Sequence, residues 1–526
     1  MDVLFAGIDV STQGSKLVII DWTNKSVIHV DSIQYDRDLP FYGTVNGIIP
    51  NENKGVSESD PLMWIAAVEL LLERANKDSI PLKNVKTISV SGQQHGLVAL
   101  DKNGKLSRPT SKLWNDFSTQ EECDLLTRKV GGQDQMIAEI GNTQRTGYTA
   151  SKIYNMFRHE KDAYDKTKIF LLVHNYINWY LTGGVAVMEP GDTSGTALWN
   201  PIKQTWSNNI ISSISENLKS KLPDVKPATQ SIGMISAAIA KRFGFSPECK
   251  IGAGSGDNMY GAVGTGNIKP GIVTVSLGTS GTAYTFMKKP YVDQDGEIAC
   301  FCDSTGHYLP LLCVSNMANG YNDFLRMHSL SHTQFDELIA FTVPGNEGNL
   351  LIPWFEGERT PDLPQAAPLY FGFKQGDFNQ KNLARALLEG HIHNLYDGFR
   401  KLPTKPAIIH LTGGLAQSPS WCQAIANIFD CETVPVEGEG AAMGAALHAA
   451  WVWKMDQGYD TKINYVVNNF MQFDESLRRK PQPEYQDIYQ KQKELYHSFS
   501  LRIRGIKSRD PFQLRSLLMD GESKSI

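Results

Sequence analysis

The sequence predicts an α/β protein built of two related domains, and three observations carry that prediction. One pattern appears twice: LFAGIDVSTQGSKLVIID at residues 4–21 and IVTVSLGTSGTAYTF at residues 272–286. Each reads as an apolar β run, a tight Ser/Thr/Gly loop and a second β run, which is a hairpin signal. Between the copies lies GAGSGDNMYGAVG, residues 252–264, with Asp257 set among glycines. The 526 residues also exceed the roughly 250–300 over which a single core keeps growing. Small residues at each hairpin tip let backbone N–H groups approach an anion, and the hydroxyls add donors. Two halves with such a tip imply a nucleotide clamped between them.

Along the chain, PLMWIAAVELLLERANKD has apolar positions at helical spacing, and VKTISVSGQQHGLVALD reads as strand, loop, strand. A helix follows SKLWND, capped by Ser118 or Thr119. TASKIYNMFRHEKDAY is a further helix, IFLLVHNYINWYL a buried helix, and Trp206 to Leu222 a helix in a loop-rich stretch. AIAKRFGF and CKIGAGSGDN read as helix, turn, strand and functional loop. The second half repeats the alternation: NLARALLEGHIHNLYDGFRKL is a long amphipathic helix, KPAIIHLTGGLAQSPSWCQAIANIFDC a strand, glycine turn and helix. EGEGAAMGAALHAAWVW is a small-residue helix made for close packing. QPEYQDIYQKQKELYHSF is a terminal helix, and the mixed-charge tail from about Lys507 to the Gly-Glu-Ser-Lys-Ser end is expected to fray.

The composition narrows the function. Hydrophobic residues make up 41% and charged residues 20%, ordinary for a globular enzyme. A net charge of −5 without a basic run argues against nucleic acid as a partner. No apolar run is long enough for a membrane span, and MDVLFAG does not read as a secretory signal. Seven scattered Cys read as reduced, buried thiols of a cytoplasmic protein. Cys300 and Cys302 do not have zinc-site spacing.

Several residues carry chemistry, each beside a structural alternative. Asp9 ends the first strand before Ser11-Thr12-Gln13-Gly14, where a carboxylate can hold Mg²⁺ through water; the alternative is a turn Asp capping its own backbone. Ser276-Leu277-Gly278-Thr279-Ser280-Gly281 is the matching second loop. Gly413-Gly414 between strand and helix allow a base or ribose to approach the backbone, although such turns are common in α/β proteins. Gln93-Gln94-His95-Gly96 follows a strand and offers donors and acceptors suited to sugar hydroxyls. Trp114-Asn115-Asp116 suits a sugar or equally a core Trp with a helix cap. Arg145 and Lys152 are candidate substrate or phosphate contacts, and Glu358-Arg359-Thr360-Pro361 reads first as a structural turn with an internal ion pair. Asp257, beside Asn258, is placed to accept an alcohol proton in phosphoryl transfer; the alternative is a loop-stabilising Asp.

Taken in order, DVSTQGSK, SGQQHG, LWND, GAGSGDN, SLGTSG, GERTP, LARALLEG, TGGLAQSPSWCQAIAN and EGAAMGAA resemble the FGGY carbohydrate kinases from about residue 3 to residue 455. The resemblance implies two actin-like (ribonuclease-H-like) ATPase domains around a central catalytic cleft, with ATP, Mg²⁺ and transfer of the γ-phosphate to a sugar or polyol. It places an N-terminal sugar-binding domain at 1–260, a C-terminal nucleotide-binding domain at 261–480, and a terminal helix and tail at 481–526. Carried over, Asp257 resembles the proton acceptor and Asp9 the carboxylate that organises Mg²⁺. Gln94, His95, Asp257 and Asn258 resemble the ketose contacts, with Gly96, Trp114 and Arg145 beside them. Ser11, Thr12, Gln13, Gly278, Thr279, Ser280, Gly413, Gly414 and Gln417 are the nucleotide side. Ser11, Gln13 and Leu415 depart from the usual pattern. The Gln94-His95-Gly96 element resembles that of the members acting on xylulose, so D-xylulose to D-xylulose 5-phosphate is the expected reaction, and a homodimer is an expectation from the family alone. Ribulose, another ketose or a polyol remain alternatives, as does an actin-like ATPase working as a chaperone or filament.

Overall fold

In the computed structural model, which describes residues 2–522, the chain divides into two units. The first comprises Met1–Lys269, Phe286–Pro310 and Gly438–Met471, and the second Pro270–Thr285, Leu311–Glu437 and Gln472–Ile526.

The first unit is built on β1 (Leu4–Val10), β2 (Gly14–Asp21), β3 (Ser26–Gln34), β4 (Val85–Gly92), β5 (Ser231–Met234), β6 (Lys250–Gly252) and β7 (Ser255–Gly256). They order as β5-β6-β4-β1-β2-β3, with β7 beside β4. β1 and β2 form the expected hairpin: Val10 pairs with Ser15, and the Ser11 N–H bonds the Gly14 carbonyl at 2.9 Å. β1 runs parallel to β4, setting Asp9 beside Ser91 and Val10 beside Gly92, and β7 sets Gly256 beside Gly92. Three strands therefore end side by side, and the residues that follow them share one edge of the sheet. That carboxyl edge is where open α/β sheets bind ligands.

Helix α1 (Pro61–Lys77) opens with Pro at its first position and Asp60 accepting from the Leu62 N–H, a cap that meets an otherwise unpaired donor. It packs Trp64, Val68 and Leu71 into the core with Ile8, Val10 and Val90. Helices α2 (Thr149–His159) and α3 (Val173–Thr182) lie in the long excursion between β4 and β5. α4 (Asp257–Gly264) begins directly after β7. The small-residue helix, Gly440–Asp456, does pack closely: a Cβ on Gly444 would lie 1.8 Å from the Tyr260 carbonyl, and one on Gly7 2.1 Å from the Ala442 carbonyl. Only glycine lets α4 and β1 approach that helix so closely.

The second unit carries β8 (Ile272–Leu277), β9 (Gly281–Thr285), β10 (Tyr308–Val314) from Leu311 onward, β11 (Ile408–Thr412), β12 (Thr433–Glu437) and β13 (Gln472–Phe473), ordered β10-β9-β8-β11-β12-β13. β8 and β9 form the second hairpin, Leu277 pairing with Gly281 across the tip Gly278-Thr279-Ser280. β8 runs parallel to β11, Ser276 beside Thr412, so the hairpin tip and the glycine turn also leave one sheet edge.

Four expectations are corrected. IFLLVHNYINWYL is a strand, Thr167–Leu171, followed by α3, because Ile169, Phe170 and Leu171 pair with Val98–Leu100. The helix expected over Trp206 to Leu222 shortens to Asn208–Ile214, capped by Ser207, with a 3₁₀ turn at Leu218–Lys221. The helix Gln380–Phe399 is buried on most of its surface, Arg385, Glu389, His391 and His393 included, and so is not amphipathic. The tail does not fray through its described part: Pro511–Glu522 is a helix, with Leu514 and Leu518 buried against Leu350 and Tyr496. Residues 523–526 of the expected frayed end lie outside the described residues. All seven Cys are free thiols. No described helix is long and apolar enough to cross a membrane.

Candidate active site

In the first unit, the edge formed by β1, β4 and β7 gathers most of the sugar-side candidates. Asp9 closes β1, and its carboxylate accepts from Ser11 Oγ at 2.5 Å and Ser91 Oγ at 2.6 Å. Burial nevertheless raises its pKa above the usual carboxylate value, because desolvation outweighs the two hydroxyl bonds. Gln93 and Thr12 tie the loop after β4 to the first hairpin, Thr12 Oγ1 donating to Gln93 Oε1 at 3.1 Å. Trp114 Nε1 donates to Thr12 Oγ1 at 2.9 Å, so this indole steadies the hairpin. Asn115 accepts from Ser57 Oγ, and Asp116 from the Ser57 and Ser118 N–H groups.

Gln94 and His95 follow β4 and are buried, at 5% and 8% exposure. His95 sits at φ +67°, a left-handed conformation that aims the loop sharply back. Its carbonyl accepts from Lys152 Nζ at 2.7 Å and Thr149 Oγ1 at 3.2 Å, both on α2. Lys152 is thus a loop anchor, and burial pulls its pKa down to about 7. The His95 ring packs edge-on against Tyr148, 4.8 Å between centroids. Gly96 is glycine for packing: a Cβ there would lie 2.5 Å from Val173 Cγ2.

Asp257 is the first residue of α4. Its Oδ1 accepts from the Asn258 N–H at 2.8 Å, and Asn258 Nδ2 donates to Gln94 Oε1 at 2.7 Å. Burial pushes the Asp257 carboxyl up to about 8, reinforced by the charges of Asp9 and Asp192. A carboxylate near the working pH is a matched proton acceptor. The Asp9 site, a carboxylate with two hydroxyl oxygens, has the donor chemistry of a hard, oxygen-seeking cation, and a cation would relieve the repulsion between Asp9 and Asp257. Arg145 is drawn elsewhere: its guanidinium donates to the Gly296 carbonyl at 2.7 Å and to Thr143 Oγ1 at 3.3 Å. Glu121, Glu122 and His159 cluster as metal ligands would, but Arg158 already pairs with both glutamates.

In the second unit, Gly413 (φ +91°) lies against the end of β8, where a Cβ would fall 2.6 Å from the Leu277 carbonyl. The Thr279 and Gly278 carbonyls accept from the Met317 and Ala318 N–H groups at 3.1 and 3.0 Å, fixing the tip. Gly413, Gly414 and Gln417 are exposed, whereas Leu415 is buried, so the departure at Leu415 serves packing. Glu358 is held within its turn: its carboxylate accepts from the Ser315 and Arg359 backbone and from Asn316 and Asn394.

Sequence reasoning missed Asp192, Glu189 and His174, all fully buried behind Gln94 and His95. A signal existed. GDTSG at 191–195 sets an Asp among small residues much as GSGDN does.

Two family models match the chain: the N-terminal domain of the FGGY family of carbohydrate kinases over residues 4–264, and its C-terminal domain over 273–453. The xylulose kinase of Haemophilus influenzae is 34% identical over 508 residues, 93% of this chain and 98% of that protein. A ligand-bound xylulose kinase structure from Lactobacillus acidophilus superposes with a TM-score of 0.83 at 24% identity, over 95% of this chain and 98% of that one. A gluconate kinase structure from the same organism also gives 0.83, at 23% identity, with the same two coverages. One fold thus accommodates proteins named for different sugars, and the choice lies in side chains.

Proposed function

The chain belongs to the FGGY family of carbohydrate kinases, and from that premise we propose that it phosphorylates a ketopentose, D-xylulose, at the expense of ATP, with Asp257 as proton acceptor. The observation that carries this reading is the bond from Asn258 to Gln94, which joins the Asp257 turn to the Gln94–His95 loop beside Asp9. Sugar hydroxyls need both donors and acceptors, and this edge supplies amide, imidazole and carboxylate groups within a small volume.

Asp257 takes the proton of the attacking hydroxyl, and its raised pKa makes that transfer favourable. Gln94, His95 and Asn258 orient the sugar so that one hydroxyl meets Asp257. The hairpin tip Ser11, Thr12 and Gln13 in the first unit and the tip Gly278, Thr279 and Ser280 in the second each carry hydroxyls and backbone N–H groups of the kind that bind phosphate. Gly413, Gly414 and Gln417, exposed after β11, take the nucleoside. Asp9 would hold Mg²⁺, which when bound would neutralise phosphate charge.

The test is ADP release with ATP and Mg²⁺ across D-xylulose, D-ribulose, L-ribulose, L-xylulose, glycerol and no sugar. Strong stimulation by D-xylulose alone is expected. Preference for another sugar would keep the chemistry and overturn the specificity, and equal turnover without sugar would point to an actin-like ATPase.

A further inference from the structure

Behind the Gln94–His95 loop lies a buried polar relay that the reaction above leaves unused. Asp192 Oδ1 lies 3.5 Å from Gln94 Nε2 and 3.8 Å from His95 Nδ1. Asp192 Oδ2 lies 3.3 Å from His174 Nδ1, an ion-pair distance without hydrogen-bond alignment, and neither of these buried atoms has a hydrogen-bond partner. His174 Nε2 faces Asn175 Nδ2 at 2.8 Å and Glu189 Oε1 at 3.9 Å. Glu189 accepts the N–H groups of Gly191 and Asp192 at 2.6 and 2.7 Å, and Ser255 Oγ at 3.1 Å. Ser255 stands two residues before Asp257, and Asn258 bonds Gln94, so the contacts close a ring from the Asp257 turn, through Gln94, Asp192, His174 and Glu189, back to that turn.

Asp192, His174 and Glu189 have 0% exposure. Among the described residues, the ion-pair partners of the two carboxylates within 4.0 Å are histidines alone. Burying carboxylates without Arg or Lys is unfavourable by several kcal/mol, which makes stability a poor reason for their presence. The geometry around His174 is directional. Its Nδ1 faces a carboxylate and its Nε2 an amide donor, an arrangement that favours the tautomer with the proton on Nδ1. The same segment shapes the space around His95: a Cβ on Gly195 would lie 2.2 Å from His95 Cε1.

We propose that Asp192 is a positioning residue for the sugar, orienting Gln94 and His95 through a relay that runs back through His174 to Glu189. The proposal rests on Gln94 and His95 contacting the sugar. Asp192 holds the amide of Gln94 so that its oxygen stays on Asn258 and its side chain keeps one orientation. Glu189 holds the backbone of Asp192 and the strand leading to Asp257, so the sugar contacts and the proton acceptor share one support.

The test compares His174→Asn, His174→Gln, Asp192→Asn and Gln94→Ala in the full chain, reading the KM for D-xylulose, the KM for ATP, kcat and the thermal midpoint. Asn carries its amide N–H near the position of Nδ1, whereas Gln carries it near Nε2. His174→Asn therefore keeps an N–H facing Asp192, and His174→Gln loses it. The sugar KM is expected to rise about tenfold in His174→Gln and Asp192→Asn, the size of one hydrogen bond to a charged group, and to stay within about threefold in His174→Asn. The ATP KM is expected to hold across all three. Equal sugar KM values in the two His174 variants, whether both normal or both raised, would overturn the proposal, since a merely structural histidine would not separate them. If Asp192→Asn does not fold, the His174 pair decides alone. An unchanged sugar KM in Gln94→Ala would overturn the sugar-site reading, and this proposal with it. A raised one beside two normal His174 variants would overturn this proposal only.

Discussion

Asn258 Nδ2 donates to Gln94 Oε1 at 2.7 Å, joining the first turn of the helix that begins with Asp257 to the loop that follows β4. The two residues are 164 positions apart in sequence, and the parallel pairing of Gly256 with Gly92 brings them together. If they act as one unit on the sugar, their removal is not additive. In a double-mutant cycle, Gln94→Ala and Asn258→Ala are expected to show a coupling of about 0.5–3 kcal/mol in kcat/KM for D-xylulose. Additive effects would contradict a shared contact.

The raised pKa of Asp257 has a stability consequence of definite sign. Its carboxyl moves from an ordinary value near 4 up to about 8, so the folded state holds the proton more tightly than the unfolded chain. Stability contributed by this group is full below pH ~4 and declines as pH rises toward 8. Asparagine cannot ionise. Asp257→Asn is therefore expected to raise the thermal midpoint at pH 8, by roughly 1–1.5 °C per kcal/mol recovered for a unit of this size, and to leave it unchanged near pH 4. A lower midpoint at pH 8 would show that the ionised carboxylate stabilises the fold.

Gly444 and Gly413 test close approach. In Gly444→Ala the new methyl would meet the Tyr260 carbonyl at 1.8 Å, inside the first unit's core. Overpacking against backbone has no flexible neighbour to yield, and a loss of more than about 3 kcal/mol is expected by chemical denaturation. Gly413→Ala meets Leu277 backbone at 2.6 Å and is strained at φ +91°. It is expected to raise the KM for ATP at least about tenfold, with the KM for sugar unchanged. An unaltered ATP KM would remove the glycine turn from the nucleotide site.

Much of the fold was legible because local rules and tertiary context agreed. Both hairpins, the strand before Gln93 and the glycine-rich approach to Asp257 stand where turn chemistry and β runs place them. Failures came where packing overrode periodicity. Phe170 and Leu171 continue an apolar run into α3 but pair as a strand with Val98 and Ala99. The polar tail becomes a helix because Leu514 and Leu518 find an apolar surface that no local pattern shows. Asp9, at the end of β1, Gln94 and His95, after β4, and Asp257 and Asn258, at the start of α4, stand beside glycine- and serine-rich turns, which is the local signal that marks them. Asp192 had only the GDTSG pattern to mark it, and His174 and Glu189 had no local signal, since what joins them is contacts that span sequence. Arg145 illustrates the converse: a loop-edge cation reads as a ligand contact, yet its guanidinium binds the Gly296 carbonyl.

The most direct test of the account is ADP release by the wild type and by Asp257→Asn, with saturating ATP and Mg²⁺ and a D-xylulose titration. The account predicts sugar-dependent release in the wild type and a loss of roughly 10²–10⁴-fold in kcat for the variant, with the sugar KM within a few-fold of normal. Near-full turnover by Asp257→Asn with sugar binding intact would contradict it.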